Sequence, residues 1–148
     1  MLKVECLPLL EIEDDKLDFA VIIARYKNKY FFVRHHARET LEIPGGHREL
    51  DETIETCAKR ELFEETGAVD YRLRPLFIYS VTKGDFTDYG QVFFAEVFKK
   101  ERQLHHEIID YQLLKEAPEE WTYPLIQPLL FQEFKKNFES DSYKTIEN

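Results

Sequence analysis

Three glutamates, Glu61, Glu64 and Glu65, stand three and four residues apart, with Arg60 immediately before the first. On a helix, at roughly 100° per residue, they fall within an arc of about 100°. Carboxylates crowded on one helix face repel each other and weaken the helix. A chain shaped by folding alone has little reason to do this beside an apolar stripe. A hard cation turns the repulsion into affinity: magnesium takes oxygen ligands and keeps several waters, which phosphate oxygens can replace. Arg60 precedes Glu64 by four and is placed to pair with it or with another carboxylate of the cluster, holding a ligand ionised and oriented. A solvated acidic face would explain a single Glu-Glu pair, but it leaves Gly46, Glu52, Arg60 and Gly67 at fixed offsets unaccounted for.

The spacing predicts a helix from about Ile54 to Thr66 to carry this cluster. Thr53 suits the N-cap, Glu55 the first turn and Gly67 a left-handed C-terminal position. Ile54, Ala58 and Leu62 recur at four-residue spacing and form its core stripe. Upstream, Phe19–Tyr26 and Tyr30–Val33 read as strands around a Lys27-Asn28-Lys29 turn. Leu41–Ile43 reads as a short strand stopped by Pro44-Gly45-Gly46. Downstream, strands are expected at about Tyr71–Thr82 and Gln91–Phe98, with turn residues at Lys83-Gly84-Asp85 and Asp88-Tyr89-Gly90 between them. Ile108–Leu114 is a further strand candidate. LLFQEFKKNF, after Pro124 and Pro128, reads as a terminal amphipathic helix, and the polar tail over 140–148 as frayed. Strands with one helix in the middle and one at the end suggest an α/β fold, layered α/β/α around a mixed sheet.

The chain has 148 residues, which predicts one domain over 1–148 with a core of useful size. Its net charge of −9 argues against binding long nucleic acid through a basic surface, and implies that phosphate chemistry would need a cation. No apolar run approaches the roughly 20 residues that span a bilayer. The first residues lack a small-residue cleavage site, so a cytoplasmic protein with two free thiols, Cys6 and Cys57, is expected.

The segment 46–68 resembles the signature box of the Nudix hydrolase superfamily: Gly, five residues, Glu, seven residues, then Arg-Glu-apolar-any-Glu-Glu-any-Gly-apolar. Gly46, Glu52, Arg60, Glu61, Leu62, Glu64, Glu65, Gly67 and Ala68 fill every specified position, Ala68 being smaller than the usual bulky residue. At residue frequencies of roughly 5–10%, seven fixed identities coincide about once in 10⁷ positions or more rarely.

The resemblance implies a Nudix-type α/β/α sandwich in which the box is a loop–helix–loop. It implies Mg2+, replaceable by Mn2+, held by Glu61, Glu64 and Glu65 with the carbonyl of Gly45; Gly46, Glu52, Leu62 and Gly67 are the supporting positions. It further implies hydrolysis of a diphosphate linkage in a nucleoside diphosphate-X substrate, with Glu61, Glu64, Glu65 and Arg60 in the catalytic machinery. The general base is a box glutamate or a later carboxylate, Glu107 being the best later candidate. Leu41-Glu42-Ile43-Pro44-Gly45-Gly46 is similar to the box entry of MutT-type members, which act on nucleoside triphosphates, and Arg34 matches their nucleotide-contacting arginine. Members that select oxidised guanine carry an asparagine before the last helix, where this chain has Ile126, with Gln127 beside it. Dinucleoside polyphosphates, nucleotide sugars and capped RNA ends are alternative substrates. A non-catalytic Nudix-like ligand-binding module is the reading from another class, although the box is intact. A monomer or homodimer fits equally.

Overall fold

The computed structural model describes residues 1–101 and 108–140, and among them are seven strands and two α-helices, besides a 3-10 turn at Asp14–Lys16. In chain order they are β1 (Leu2–Leu7), β2 (Leu17–Tyr26), β3 (Lys29–His35), β4 (Gly45–His47), α1 (Ile54–Thr66), β5 (Ala68–Lys83), β6 (Phe86–Lys100), β7 (Ile108–Leu114) and α2 (Gln127–Asn137). The sheet runs β1-β5-β6-β2-β3-β7, with β2 and β6 parallel and the other neighbours antiparallel. Among the described residues no helix is long and apolar enough to cross a membrane.

Alternation along the strands feeds two cores, one on each face. Ile22, Ala24, Phe31, Phe93 and Ala95 pack with Ile54, Ala58 and Leu62 of α1. Their neighbours Val21, Ile23, Phe32, Val92 and Phe94 pack with Leu130, Phe131 and Phe134 of α2. The fold is therefore the α/β/α sandwich around a mixed sheet that the pattern of elements suggests.

Strand β2 pairs with β6 along one edge and divides its other edge between β3 and β4, which brings the box glycines into the sheet. Its far end, Arg25–Tyr26, continues into β3 through a two-residue turn in which Lys27 and Asn28 take φ of 50° and 67°, the left-handed pair that a tight hairpin requires. Its near end, Phe19–Val21, pairs instead with β4. Between the two, the Ile22 N–H donates to the Pro44 carbonyl at 2.8 Å.

Two expectations need correction, and one strand was not anticipated. Leu41 and Glu42 make only single bridges, to Trp121 and Val33, whereas the glycine stretch expected to end a strand is itself β4. Glycine permits this close approach, since a Cβ at Gly45 would lie 2.3 Å from the Ala20 carbonyl oxygen. Asp88-Tyr89-Gly90 does not turn but lies within β6. A Cβ on Gly90 would stand 2.4 Å from the Tyr79 ring, so this glycine makes room for packing. Finally, Leu2–Leu7 forms an edge strand on β5 that the sequence pattern did not announce. The tail residues 141–148 lie outside the described residues.

Candidate active site

Helix α1 has the predicted bounds, because its signals are local. The Thr53 side chain accepts from the Thr56 N–H at 3.1 Å, and Gly67, at φ 77°, donates its N–H to the Phe63 carbonyl. Its buried face includes Ile54, Cys57, Ala58 and Leu62, but also Glu61 and Glu65. Two of the three clustered acids thus lie in the buried stripe itself, and only Glu64 is half-exposed.

Arg60 organises this face. Its Nε donates to Glu52 Oε2 at 2.6 Å and its Nη2 to Glu52 Oε1 at 2.9 Å, a two-point grip. Its Nη1 reaches Glu61 Oε1 at 2.7 Å and Glu64 Oε2 at 3.3 Å, and Nη2 also donates to the His47 carbonyl at 3.1 Å. Hydrogen bonding from this guanidinium holds the Glu52 carboxyl down at about 2. Burial, reinforced by the charge on Glu65, pushes Glu61 up to about 7 despite Arg60.

Glu65 is 3% exposed. Its Oε1 accepts from the Gly45 N–H at 3.0 Å, and its Oε2 lies 3.3 Å from His35 Nε2. The same Nε2 lies 3.1 Å from Glu42 Oε1. Contact with the two carboxylates, Glu42 first, raises the His35 imidazole to about 10, while burial raises Glu65. We take His35 as the cation of this trio, since two acids share its one facing nitrogen.

The glycines bring box and sheet together. A Cβ at Gly46 would meet the Glu61 carboxyl at 2.6 Å, and Cys57 Sγ lies 3.7 Å from the Gly46 carbonyl. Burial lifts that thiol to about 12, which makes it inert packing.

A cleft of about 410 Å³ opens beside Gly45 and Gly46 on the α2 side, within the usual range for small-molecule sites. Its walls include Phe19, His47, Tyr79, Tyr123 and Gln127. Phe19 and His47 rings lie 4.2 Å apart, and Gln127 Oε1 accepts from the Ile43 N–H at 2.8 Å. A second cavity, about 320 Å³, is lined by His35, His36, Arg38, Glu42 and Tyr123. Glu42 and Tyr123 border both.

The structure therefore gathers Gly45, Gly46, Glu52, Arg60, Glu61, Glu64 and Glu65, and packs Leu62 beneath them in the core. Arg34 stands apart: its guanidinium makes two bonds to Asp110, at 3.0 and 3.3 Å, and lines neither cavity. Glu107 lies outside the described residues. Other aromatics serve elsewhere: Trp121 packs on Phe32, Tyr89 backs onto the α1 core and Phe86 is exposed. Sequence reasoning missed Glu42 and His35 as site residues. Their signal was faint: Glu42 is a lone acid between Leu41 and Ile43, and His35 was visible only as half of an adjacent pair.

Hard oxygen donors, two of them buried and pushed toward protonation, suit a divalent cation. Among the described residues no three His, Cys, Asp or Glu side chains already converge as a finished cage. Arg60 and His35 hold the oxygens instead.

A family model described as the NUDIX domain matches residues 15–137, and the chain belongs to the Nudix family of hydrolases. The putative 8-oxo-dGTP diphosphatase YtkD of Bacillus subtilis is 34% identical over 85 residues, 57% of this chain and 53% of that protein. A MutT-like protein of Streptomyces ambofaciens is 44% identical over 48 residues, 32% of this chain and 31% of that one. The matches thus span about half of the first relative and under a third of the second. Among solved structures, the Bacillus subtilis pyrophosphohydrolase BsRppH is 25% identical, with 92% of each chain covered and a TM-score of 0.73.

Proposed function

We propose that the protein is a divalent-metal-dependent pyrophosphohydrolase that cleaves the diphosphate linkage of a nucleoside diphosphate-X substrate, a nucleoside triphosphate of the MutT type in the first instance. The observation that carries the reading is the burial of Glu61 and Glu65, with Glu64 beside them, on a helix that packs against β4 where it borders a nucleotide-sized cleft. Glu61, Glu64 and Glu65, with the Gly45 carbonyl, would hold Mg2+ or Mn2+. Such a cation supplies Lewis acidity, a template for phosphate oxygens and activation of water.

The chain's own groups do the rest. Arg60 orients Glu61 and Glu64 while Glu52 neutralises it from behind. The Gly45 N–H fixes one oxygen of Glu65. Phe19, His47 and Tyr123 line the cleft where a base would lie, Arg38 lines the second cavity, and Arg34, on β3, would reach substrate phosphate only by leaving Asp110. The general base is a box glutamate or Glu107, which stands just before β7 in sequence. Glu107→Gln should then lower kcat with KM unchanged, and an unchanged kcat would leave the role to the box.

The resemblances to a putative 8-oxo-dGTP diphosphatase and to a pyrophosphohydrolase support this reaction class. The test is a panel of nucleoside triphosphates, dinucleoside polyphosphates and nucleotide sugars incubated with protein and magnesium, scored for phosphate against pyrophosphate release. Hydrolysis should stop on chelation and return with magnesium or manganese. Full turnover in excess chelator, or no turnover of any substrate, would overturn the reading.

A further inference from the structure

Glu42 is a charged residue that the box does not include, yet it is 6% exposed, between the buried Leu41 and Ile43. Its Oε1 lies 3.1 Å from His35 Nε2; its Oε2 is buried without a hydrogen bond, 3.7 Å from Arg38 Nη1. A carboxylate kept in such a place costs folding free energy, and it borders both cavities.

The arrangement around His35 shows what this residue does. Both neighbours of Nε2 are carboxylates, Glu42 Oε1 at 3.1 Å and Glu65 Oε2 at 3.3 Å, so Nε2 carries the hydrogen. One N–H cannot align on two acceptors, and Nε2 in fact makes a well-formed hydrogen bond with neither. On Glu65, Oε1 already accepts from the Gly45 N–H. A carboxylate oxygen has two lone pairs, so Oε1 keeps one, whereas Oε2, the oxygen His35 contacts, accepts no well-formed hydrogen bond and is the more open of the two to a cation.

We propose that Glu42 is a positioning residue that draws the His35 imidazole off Glu65 and so frees that carboxylate for a divalent cation. This rests on the metal-dependent reading above. With Glu65 Oε2 engaged by a cation, the His35 N–H aligns fully on Glu42 Oε1. Without the Glu42 carboxylate, His35 has only Glu65 to bond and competes with the cation for it.

The experiment is titration of Mn2+ alone, without substrate, followed by the electron paramagnetic resonance of the free ion. It compares wild type, Glu42→Gln, Glu42→Met, His35→Ala and the Glu42→Met/His35→Ala double variant, with folding checked by circular dichroism. Glu42→Met should bind Mn2+ about tenfold more weakly, in line with losses on removing groups that orient ligands. Glu42→Gln, a neutral acceptor, should fall between that and wild type. His35→Ala should bind at least as tightly as wild type, and the double variant should regain wild-type affinity. Unchanged affinity in Glu42→Met, or no recovery in the double variant, would overturn the proposal. Should the Glu42 variants misfold, His35→Ala still decides: weaker binding there means that His35 supports the site rather than competing for it. A wild type that binds no Mn2+ would instead defeat the metal-dependent reading, and this inference with it.

Discussion

Arg60 grips Glu52 from eight residues away, Nε on one carboxylate oxygen at 2.6 Å and Nη2 on the other at 2.9 Å, and uses its remaining amino group on Glu61. The loop before α1 is thereby tied to the face that carries the acids. Lysine offers a point charge and no fork. Arg60→Lys should therefore lose about 1.5–3 kcal/mol of stability, the range for hydrogen bonds to charged groups. Urea unfolding measures it, and a midpoint equal to wild type would show that the grip contributes nothing.

The same pair sets an acid dependence. Hydrogen bonding to Arg60 lowers the Glu52 pKa from 4.5 to about 2 in the folded protein. The stabilisation is complete above the unfolded value of 4.5 and is lost as the pH falls through about 2. Glu52→Gln lacks this ionisation, so its stability should fall less steeply over that window. Parallel curves of unfolding midpoint against pH for the two proteins would contradict the assignment.

Glu64→Gln and Glu65→Gln separate cation binding from folding. Each keeps the side-chain size and removes one charge, and each should lower kcat by roughly 10²-fold or more, several kcal/mol of transition-state stabilisation. The rise in Tm on adding magnesium should shrink in both, because only binding to the native state produces it. Metal-free Glu64→Gln should melt close to wild type, since it gives up only a 3.3 Å contact with Arg60 on a half-exposed side chain. Activity within threefold of wild type in both variants would defeat the assigned ligands.

Adjacent glycines should fail in different ways. A Cβ at Gly45 meets backbone, the Ala20 carbonyl oxygen at 2.3 Å, whereas at Gly46 it meets the Glu61 carboxyl at 2.6 Å. Backbone cannot yield cheaply, so Gly45→Ala should cost about 1–3 kcal/mol, the scale of overpacking. Gly46→Ala should instead push Glu61 aside, lowering Mn2+ affinity and kcat with a smaller change in Tm. Thermal melts with and without metal distinguish the two, and a larger metal-free loss in Gly46→Ala would reverse the argument.

Arg34 and Arg38 make a paired test of phosphate binding. Arg34→Ala breaks a partly exposed ion pair with Asp110, which should cost at most about 1 kcal/mol of stability. If either arginine contacts phosphate, its alanine variant should lower kcat/KM about tenfold on the preferred nucleotide. Arg38, which lines the second cavity and lies 3.4 Å from the Tyr123 hydroxyl, should show the larger effect. Unchanged kcat/KM in both would remove them from the substrate site.

The sequence alone determined what is local. The helix over Ile54–Thr66 was legible to the residue because its cap, its left-handed glycine and its stripe all lie within it. The acids and Arg60 were legible as a cluster because helical spacing brings i, i+3 and i+4 together without any other element. Only the tertiary structure decided the rest. Glu61 and Glu65 became buried because the sheet and β4 cover that face, which no helix period reveals. Glu42 and His35 met Glu65 because the strand bridge between Val33 and Glu42 folds the loop back onto β3. Gly90, a turn signal by type, lies inside β6 because the Tyr79 ring on the neighbouring strand needs its empty side. Such contacts depend on which strands become neighbours, and that is fixed by packing two cores against one sheet, not by any window of sequence.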